Sequence, residues 1–500
     1  MYLGVDLGSS SIKLSLFDAK TGTILHSISY PKEELAIDAP QQGWAEQDPN
    51  MWWSNFLEAY ALLTKSNGIN TKDIQAIGIS YQMHGLVLVD KELEVLRASI
   101  IWCDSRAVDI GNNAFQSIGE SYCLPHLLNS TGNFTASKLA WVKQNEPEIY
   151  SKAYKFMLPG DYIAMRLSGK PTTTETGLSE GIFWDFKNQK VSNQVLDEYG
   201  ISKDLIPEIV PAIGANLTIQ QSVSEKLGLS NDVTITYRGG DQPNNAFSLN
   251  VLKPGETAST AGTSGVIYAV TDKNAFDKKS RINTFLHVNN THESPRNGVL
   301  ICINGTGILY NWLRRILNTG NGNIDYIHMN EMVDSVSPGS EGLVCLPFGN
   351  GAERIFENKL IGSHLLNMDF NRHHTSHLLR ASVEGIVYAL NLGFEMLKDL
   401  GIEQKTIRAG HANLFLSKSF REIFVNVTGI PLELYNTDGA AGAARGAALG
   451  AGFYATPEEA FESLEQIAVI EPDPDLVTKY KTLFVEWQDE IEKHSFNINK

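Results

Sequence analysis

Cysteine is scarce in this chain. Its four thiols, Cys103, Cys123, Cys302 and Cys345, are scattered through 500 residues, and no two stand at metal-ligand spacing. That excludes a disulfide framework and a thiolate zinc site, and it fits reduced thiols in a cytoplasmic protein. Basic charge is also short, with 41 Lys and Arg against 57 Asp and Glu and a net charge of -16. Such a surface repels phosphate backbones, so nucleic acid is excluded as an expected partner; a nucleotide held by local backbone donors is not. No apolar run is long enough to cross a bilayer. The nearest, GAAGAARGAALGAGFYA at 439–455, is weakly apolar, is interrupted by Arg445, and suits a helix packed closely on a neighbour. The first residues read as a strand rather than as a basic region followed by an apolar stretch, so no signal peptide is expected. The two common phosphate-binding patterns, Walker A and a strand-linked GxGxxG, are missing as well.

What is present is the composition of an ordinary globular protein, in a chain too long for a single core. The opening MYLGVDLGSSSIKLSLFDAKTG has Leu3 and Val5 leading to Asp6, a loop of Gly8 to Ser11, and then Ile12, Leu14 and Leu16 alternating with polar residues. That period of two predicts an antiparallel hairpin with the small-residue loop at its tip. GETASTAGTSGVIYAVTDKN at 255–274 repeats the order, with Gly262 to Gly265 as the loop. Two such hairpins predict two related domains with a boundary near residues 248–255. Helices are expected over about 51–65, over SKLAWVKQNEPEIYSKA, after Pro159, after Gly240, over GILYNWLRRIL and over HLLRASVEGIVYALNLGFEMLKDLG. The last 45 or so residues read as helices and tail.

Several constellations could carry chemistry. Small residues let the backbone approach a ligand, and their N–H groups can face phosphate oxygens. Asp6, beside the first loop, could hold Mg²⁺; the alternative is two Gly/Ser turns and a solvated carboxylate. In RGGDQPNN, Asp241 follows two glycines at a strand end, where it could take a proton from an attacking hydroxyl or merely cap a helix. Met83 and His84 stand between two short strands; the histidine could donate to a sugar hydroxyl or be a satisfied core residue. GWAEQDPNMWW gathers Trp44, Trp52 and Trp53 around Glu46 and Asp48, which suits a sugar pocket or capping plus core. IWCDSRA offers Asp104 and Arg106, to pair with each other or to touch a ligand. His373 and His377 lack a carboxylate at ligand spacing and read as a polar helix face.

DLGSSSIK, GWAEQDPxxWW, ISYQMHGLV, IWCDSRA, GGDQ, GTSG, NGTG…NWLRR, AGHANLFLS and GAARGAALGAG occur in that order. With them the chain resembles the FGGY family of carbohydrate kinases, its xylulokinase branch most, over residues 1 to 453. The resemblance implies an α/β fold of two ribonuclease H-like domains, of the actin and hexokinase type, with a cleft between them. It implies an N-terminal domain at 1–247 with the sugar site and first phosphate loop, a nucleotide-binding C-terminal domain at 248–453, and a helical tail at 454–500.

By the same resemblance, Ser9, Ser10 and Lys13 belong to the first phosphate element, and Gly262 and Thr263 to the second. Gly307, Asn311, Gly410 and Asn413 match the nucleotide site. Asp241 matches the catalytic base, with Asp6 and Asp241 at the metal. Met83, His84, Gln242, Trp102 and Arg106 fall at the sugar. The implied reaction is ATP- and Mg²⁺-dependent phosphorylation of the 5-hydroxyl of D-xylulose by a cytoplasmic protein that could form a homodimer. Three departures bear on the sugar: Gln242 where many bacterial xylulokinases have Asn, Trp-Cys-Asp at 102–104, and Ala409-Gly410 in the adenosine turn. The rivals are a kinase for ribulose, fuculose or glycerol, and an actin-like ATPase with no sugar acceptor.

Overall fold

The computed structural model describes residues 1–65, 68–319 and 324–495. Two sheets dominate it. Tyr2–Leu7, Ile12–Asp18 and Thr23–Tyr30 form an antiparallel meander, and Ala76–Tyr81 and then Thr234–Gly240 continue outward from Tyr2–Leu7 in parallel. Ile213–Thr218 adds an antiparallel edge. The second sheet repeats the plan. Thr257–Ala261, Gly265–Thr271 and Asn297–Ile303 are its meander, and Ile407–Gly410 and Leu432–Tyr435 follow in parallel. Asn283–Leu286 and Gln466–Ile470 are its edges. This duplicated order is the ribonuclease H-like arrangement, and each of the two similar hairpins opens one copy.

Tyr2–Leu7 is central and covered on both faces, so Leu3, Val5 and Leu7 are fully buried. Trp52, Trp53, Phe56 and Tyr60 of the helix Pro49–Lys65 belong to the same core. The other cover is the Gly/Ala helix Gly439–Gly450, which comes from the second half of the chain and lies against the first sheet. The contact is close. A Cβ on Gly4 would stand 1.9 Å from the carbonyl oxygen of Ala440, and one on Gly78 would stand 2.0 Å from that of Ala443. A helix of small residues is what this approach demands. A division of the chain at residue 248 therefore does not divide the packing, because 439–450 completes the first layer.

The segment after 453 is more than a helical tail. Gln466–Ile470 pairs antiparallel with Leu432–Tyr435 as a sheet edge. Tyr480, Phe484, Trp487 and Ile491 of Pro474–Ser495 are buried in the second core at helical spacing, each such side chain stabilising the fold by about 1.5–3 kcal/mol. Trp487 Nε1 donates to the Cys345 carbonyl at 2.8 Å. Polar residues between the helix positions hid the stripe from a reading of composition; residues 496–500 lie outside the described residues. SKLAWVKQNEPEIYSKA is two helices, Thr135–Asn145 and Pro147–Lys152, because Pro147 starts a new one. No described helix is long and apolar enough to cross a membrane.

Candidate active site in the cleft

Three parallel strands, Tyr2–Leu7, Ala76–Tyr81 and Thr234–Gly240, end together. Asp6 is in register with Ser80, Ser80 with Gly239, and Tyr81 with Gly240. Asp6 and Asp241 thus reach one carboxyl-terminal sheet edge, the usual place for ligands in such sheets. Ser80 Oγ donates to Asp6 Oδ1 at 2.8 Å, and Lys13 is the cross-strand partner of Asp6. Burial raises the proton affinity of Asp6, with Ser80 and Lys13 opposing and Asp438 adding to the rise. Burial also pushes Asp241 up to about 7, aided by the charge of Asp6 and resisted by hydrogen bonds from Gln242. The helix Asp241–Ser248 takes Gly240 at its capping position and has no side-chain cap, so the capping alternative for Asp241 is not what the fold uses. The double glycine is required by space: a Cβ on Gly239 would meet Val288 at 2.6 Å, and one on Gly240 would meet Met83 at 2.6 Å.

Met83 is buried beneath Gly240, and His84 beside it is left-handed at φ 62°. His84 Nδ1 lies 3.0 Å from the Glu180 carbonyl, which can only accept. Nδ1 therefore carries the proton, and Nε2 is left as an acceptor. This corrects the expectation that His84 donates to a sugar hydroxyl. Burial, and then the charge of Lys138, hold the imidazole near pKa 3, so it stays neutral. Phe134 and Phe285 flank the ring at centroid distances of 5.1 and 5.3 Å. Phe285 comes from the edge strand of the second sheet.

Lys138 is fully buried and donates from Nζ to the carbonyls of His84 and Ile101, both at 2.9 Å. It ties the His84 loop to the segment carrying Trp102. Trp102 is 52% exposed, with its indole N–H 3.4 Å from Ser9 Oγ, so it reaches the small-residue loop of the first hairpin. Arg106 is not available to a ligand. Its side chain is 1% exposed, pairs with Asp104 and with Glu46, each at 2.7 Å, and stacks 3.7 Å over Trp44. The tryptophan motif is thus core and ion-pair scaffold. His373 precedes the helix Thr375–Asp399, and His377 in its first turn is mostly covered and faces Glu341 at 3.7 Å, so the two do not form the expected polar helix face.

On the other side of the cleft a cavity of about 710 Å³ is lined by Gly262, Thr263, Gly307, Asn311, Asn413 and Tyr326, among others. Five of the sequence-chosen residues meet there. Gly307 N–H donates to the Gly262 carbonyl at 2.9 Å, and Thr306 Oγ1 donates to the carbonyls of Gly262 and Thr263. A Cβ on Gly307 would stand 2.3 Å from the Gly262 oxygen. The helix Gly307–Leu317 opens here without a side-chain cap, and its first N–H groups, those of Gly307 and Ile308, are tied to the Gly262 and Thr263 carbonyls, which fixes the helix start against the loop. Gly410 ends its strand just before the turn in which Asn413 is left-handed at φ 53°. The fully buried Glu353 accepts from the N–H groups of Asn304 and Gly305 at 3.0–3.2 Å and so braces this loop.

The sequence reading missed Lys138, Glu180, Phe285, Glu353 and Arg354. None lies in a pattern with local meaning; each acts through a contact distant along the chain.

Family models for the N-terminal and C-terminal domains of the FGGY family of carbohydrate kinases match residues 1–248 and 257–455. The chain belongs to the FGGY family of carbohydrate kinases. As such it is a phosphotransferase with an alcohol acceptor, in a family that uses ATP with a divalent metal. It is 30% identical to the xylulose kinase of Bacillus subtilis (strain 168), over 99% of this chain and 97% of that one. It is 27% identical to the xylulose kinase of Escherichia coli (strain K12), over 93% and 92%. Among solved structures, the xylulose kinase from Rhodospirillum rubrum superposes with a TM-score of 0.90 over 100% of both chains at 22% identity. Plasmodium falciparum glycerol kinase with ADP superposes with a TM-score of 0.86 over 98% of this chain and 97% of that one at 20% identity. At such identities the structures speak for this FGGY fold alone.

Proposed function

We propose that this cytoplasmic FGGY kinase transfers the γ-phosphoryl group of ATP to the 5-hydroxyl of D-xylulose, giving D-xylulose 5-phosphate. The observation that carries the reading is the placing of Asp241 and the Met83–His84 pair on either side of Gly240, in a chain whose full-length relatives are named xylulose kinases. A proton acceptor and a neutral imidazole acceptor share one wall, suited to a polyhydroxylated substrate.

Asp241, free to ionise near neutral pH, orients the sugar's primary hydroxyl and takes its proton. Met83 forms the apolar floor, and His84 Nε2 accepts from a sugar hydroxyl. Gln242 and Trp102 complete the sugar side. Ser9, Ser10 and Lys13 from one half, and Gly262 and Thr263 from the other, hold the triphosphate. Gly307, Asn311, Gly410 and Asn413 hold the nucleoside. Closing of the two halves excludes water as a competing acceptor.

The donor set suits Mg²⁺. Asp6 and Asp241 are two half-buried carboxylates at one edge, and no group of three metal-ligating side chains exists among the described residues. Magnesium takes one or two carboxylates together with substrate phosphates. Held by Asp6 and Asp241, it would neutralise charge on the phosphate oxygens.

The test is ADP release with Mg·ATP, without sugar and with D-xylulose, L-ribulose, L-fuculose or glycerol. Strong stimulation by D-xylulose alone is expected. Preference for glycerol would move the reading to a polyol kinase through Gln242, and sugar-independent hydrolysis would make it an actin-like ATPase.

A further inference from the structure

Arg354 has no role in the scheme above, yet it stands at the sugar end of the cleft. It follows Glu353, whose carboxylate braces the 304–305 loop on the nucleotide side. Its Nε donates to the Ser280 carbonyl at 3.0 Å. Among the described residues the guanidinium forms no ion pair, and burial lowers its pKa to about 10. Its central carbon lies 6.0 Å from the ring centroid of Phe134, which packs edge-on to His84. Arg354 comes from the second half of the chain and Phe134 from the first, so this contact spans the cleft. The positive charge of Arg354 is felt at His84. The guanidinium is half-buried, and its terminal N–H groups have no protein acceptor among the described residues, so they can meet a ligand oxygen in the cleft.

His84 Nε2 can only accept and Arg354 can only donate. An alditol hydroxyl placed at Arg354 can accept too, but its own proton then needs an acceptor that neither the guanidinium nor the Phe134 ring supplies. An α-hydroxyketone offers one proton and one carbonyl lone pair side by side. We propose that Arg354 is a specificity-determining residue that donates to the carbonyl oxygen of a 2-ketose while His84 accepts from a neighbouring hydroxyl. The carbonyl end of the sugar is then held across the cleft, away from the hydroxyl that Asp241 serves. The inference rests on the ketose kinase reading, and it explains how such a site tells a ketose from the matching alditol.

The experiment compares wild type, Arg354→Met and Arg354→Lys. It measures kcat/KM for D-xylulose, the inhibition constant of xylitol against D-xylulose, KM for Mg·ATP, and the thermal midpoint. For Arg354→Met the expected result is a loss on the order of 10- to 100-fold in kcat/KM for D-xylulose. The xylitol constant should change only a few-fold, the ATP value should hold, and Arg354→Lys should recover part of the loss. Equal weakening of xylulose and xylitol would show packing rather than carbonyl recognition and overturn the proposal. A selective rise in the KM for Mg·ATP would assign Arg354 to the phosphates and overturn it too. Should wild type ignore D-xylulose but use another ketose, the function reading fails alone, and the same ratio is read with that ketose and its alditol. A wild type that accepts only polyols sinks both.

Discussion

His84 donates its Nδ1 proton to the backbone carbonyl of Glu180 at 3.0 Å. That bond turns the imidazole into a neutral acceptor with one free nitrogen. Burial presses the same way, with the pKa near 3. The KM for the sugar should therefore show no limb near pH 6.5, where an ordinary histidine titrates. His84→Ala should weaken sugar binding by about 1–3 kcal/mol, the range for a lost or unpaired polar contact. A sugar KM that rises sharply below pH 6.5 in wild type but not in His84→Ala would show the imidazole charging, contrary to this geometry.

Asp241→Ala should lower kcat by about 10² to 10⁴ while changing the sugar KM much less, as loss of a general base does. With Asp241 near 7, kcat/KM in the free enzyme should fall as pH drops below about 7, because the base is protonated there. The check is a pH profile of kcat/KM for D-xylulose at Mg·ATP well below its KM, so that the metal-free enzyme is the species that titrates. A flat profile from pH 5 to 8 would take the proton-accepting role away from Asp241.

Asp6→Ala should raise the magnesium concentration required for half-maximal rate and lower kcat, since the remaining carboxylate, Asp241, is left to hold the ion alone. Titration of magnesium at fixed ATP reads this directly. Superimposable titrations of variant and wild type would remove Asp6 from the site.

Glu353 ties pH to stability. Burial lifts its pKa from 4.5 to about 7, against the hydrogen bonds from Asn304 and Gly305. The folded protein holds this proton more tightly than the unfolded chain. Its contribution is complete below about pH 4.5 and is lost as pH rises through 7. Glu353→Gln, which keeps an acceptor but cannot ionise, should compare better with wild type at pH 8 than at pH 5. Urea midpoints at the two pH values test the sign, and the reverse order would contradict the burial-dominated shift.

Gly4→Ala tests the packing of the two halves. Its methyl carbon would fall 1.9 Å from the Ala440 carbonyl oxygen, a backbone atom of the helix Gly439–Gly450. Overpacking of this kind costs about 1–3 kcal/mol or more, and the thermal midpoint should drop. An unchanged midpoint would mean that the helix can move away from the sheet.

Much of the candidate site was open to a reading along the chain because its signals are local. Gly262, Thr263, Gly307, Asn311 and Asn413 sit in Gly-containing loops or at a helix start, and they converge on one cavity. The first hairpin showed in a period-two pattern over Ile12 to Leu16, and the second in its repeat of the same order of apolar strand, small-residue loop and apolar strand. Arg106 was misplaced because a sequence shows that a guanidinium exists but not what it is paired with. Here Asp104, Glu46 and Trp44 occupy it fully. The strand Gln466–Ile470 was missed because an edge strand has one partner and only a weak pattern.

The sequence by itself determined the family, the two-fold repeat of the sheet, and the small-residue loops at the hairpin tips, since these depend on residue size and on spacing along a few neighbours. Only the tertiary structure decided that Lys138 joins the His84 and Trp102 segments, that Phe285 and Arg354 reach the sugar end from the other half, and that a helix from the second half covers the first sheet. It also decided that His84 spends its Nδ1 proton on the Glu180 carbonyl and is left with Nε2 as an acceptor. The physical reason is one and the same. Burial, pairing and protonation are set by neighbours tens to hundreds of residues away along the chain, and those neighbours exist only once the two halves are packed.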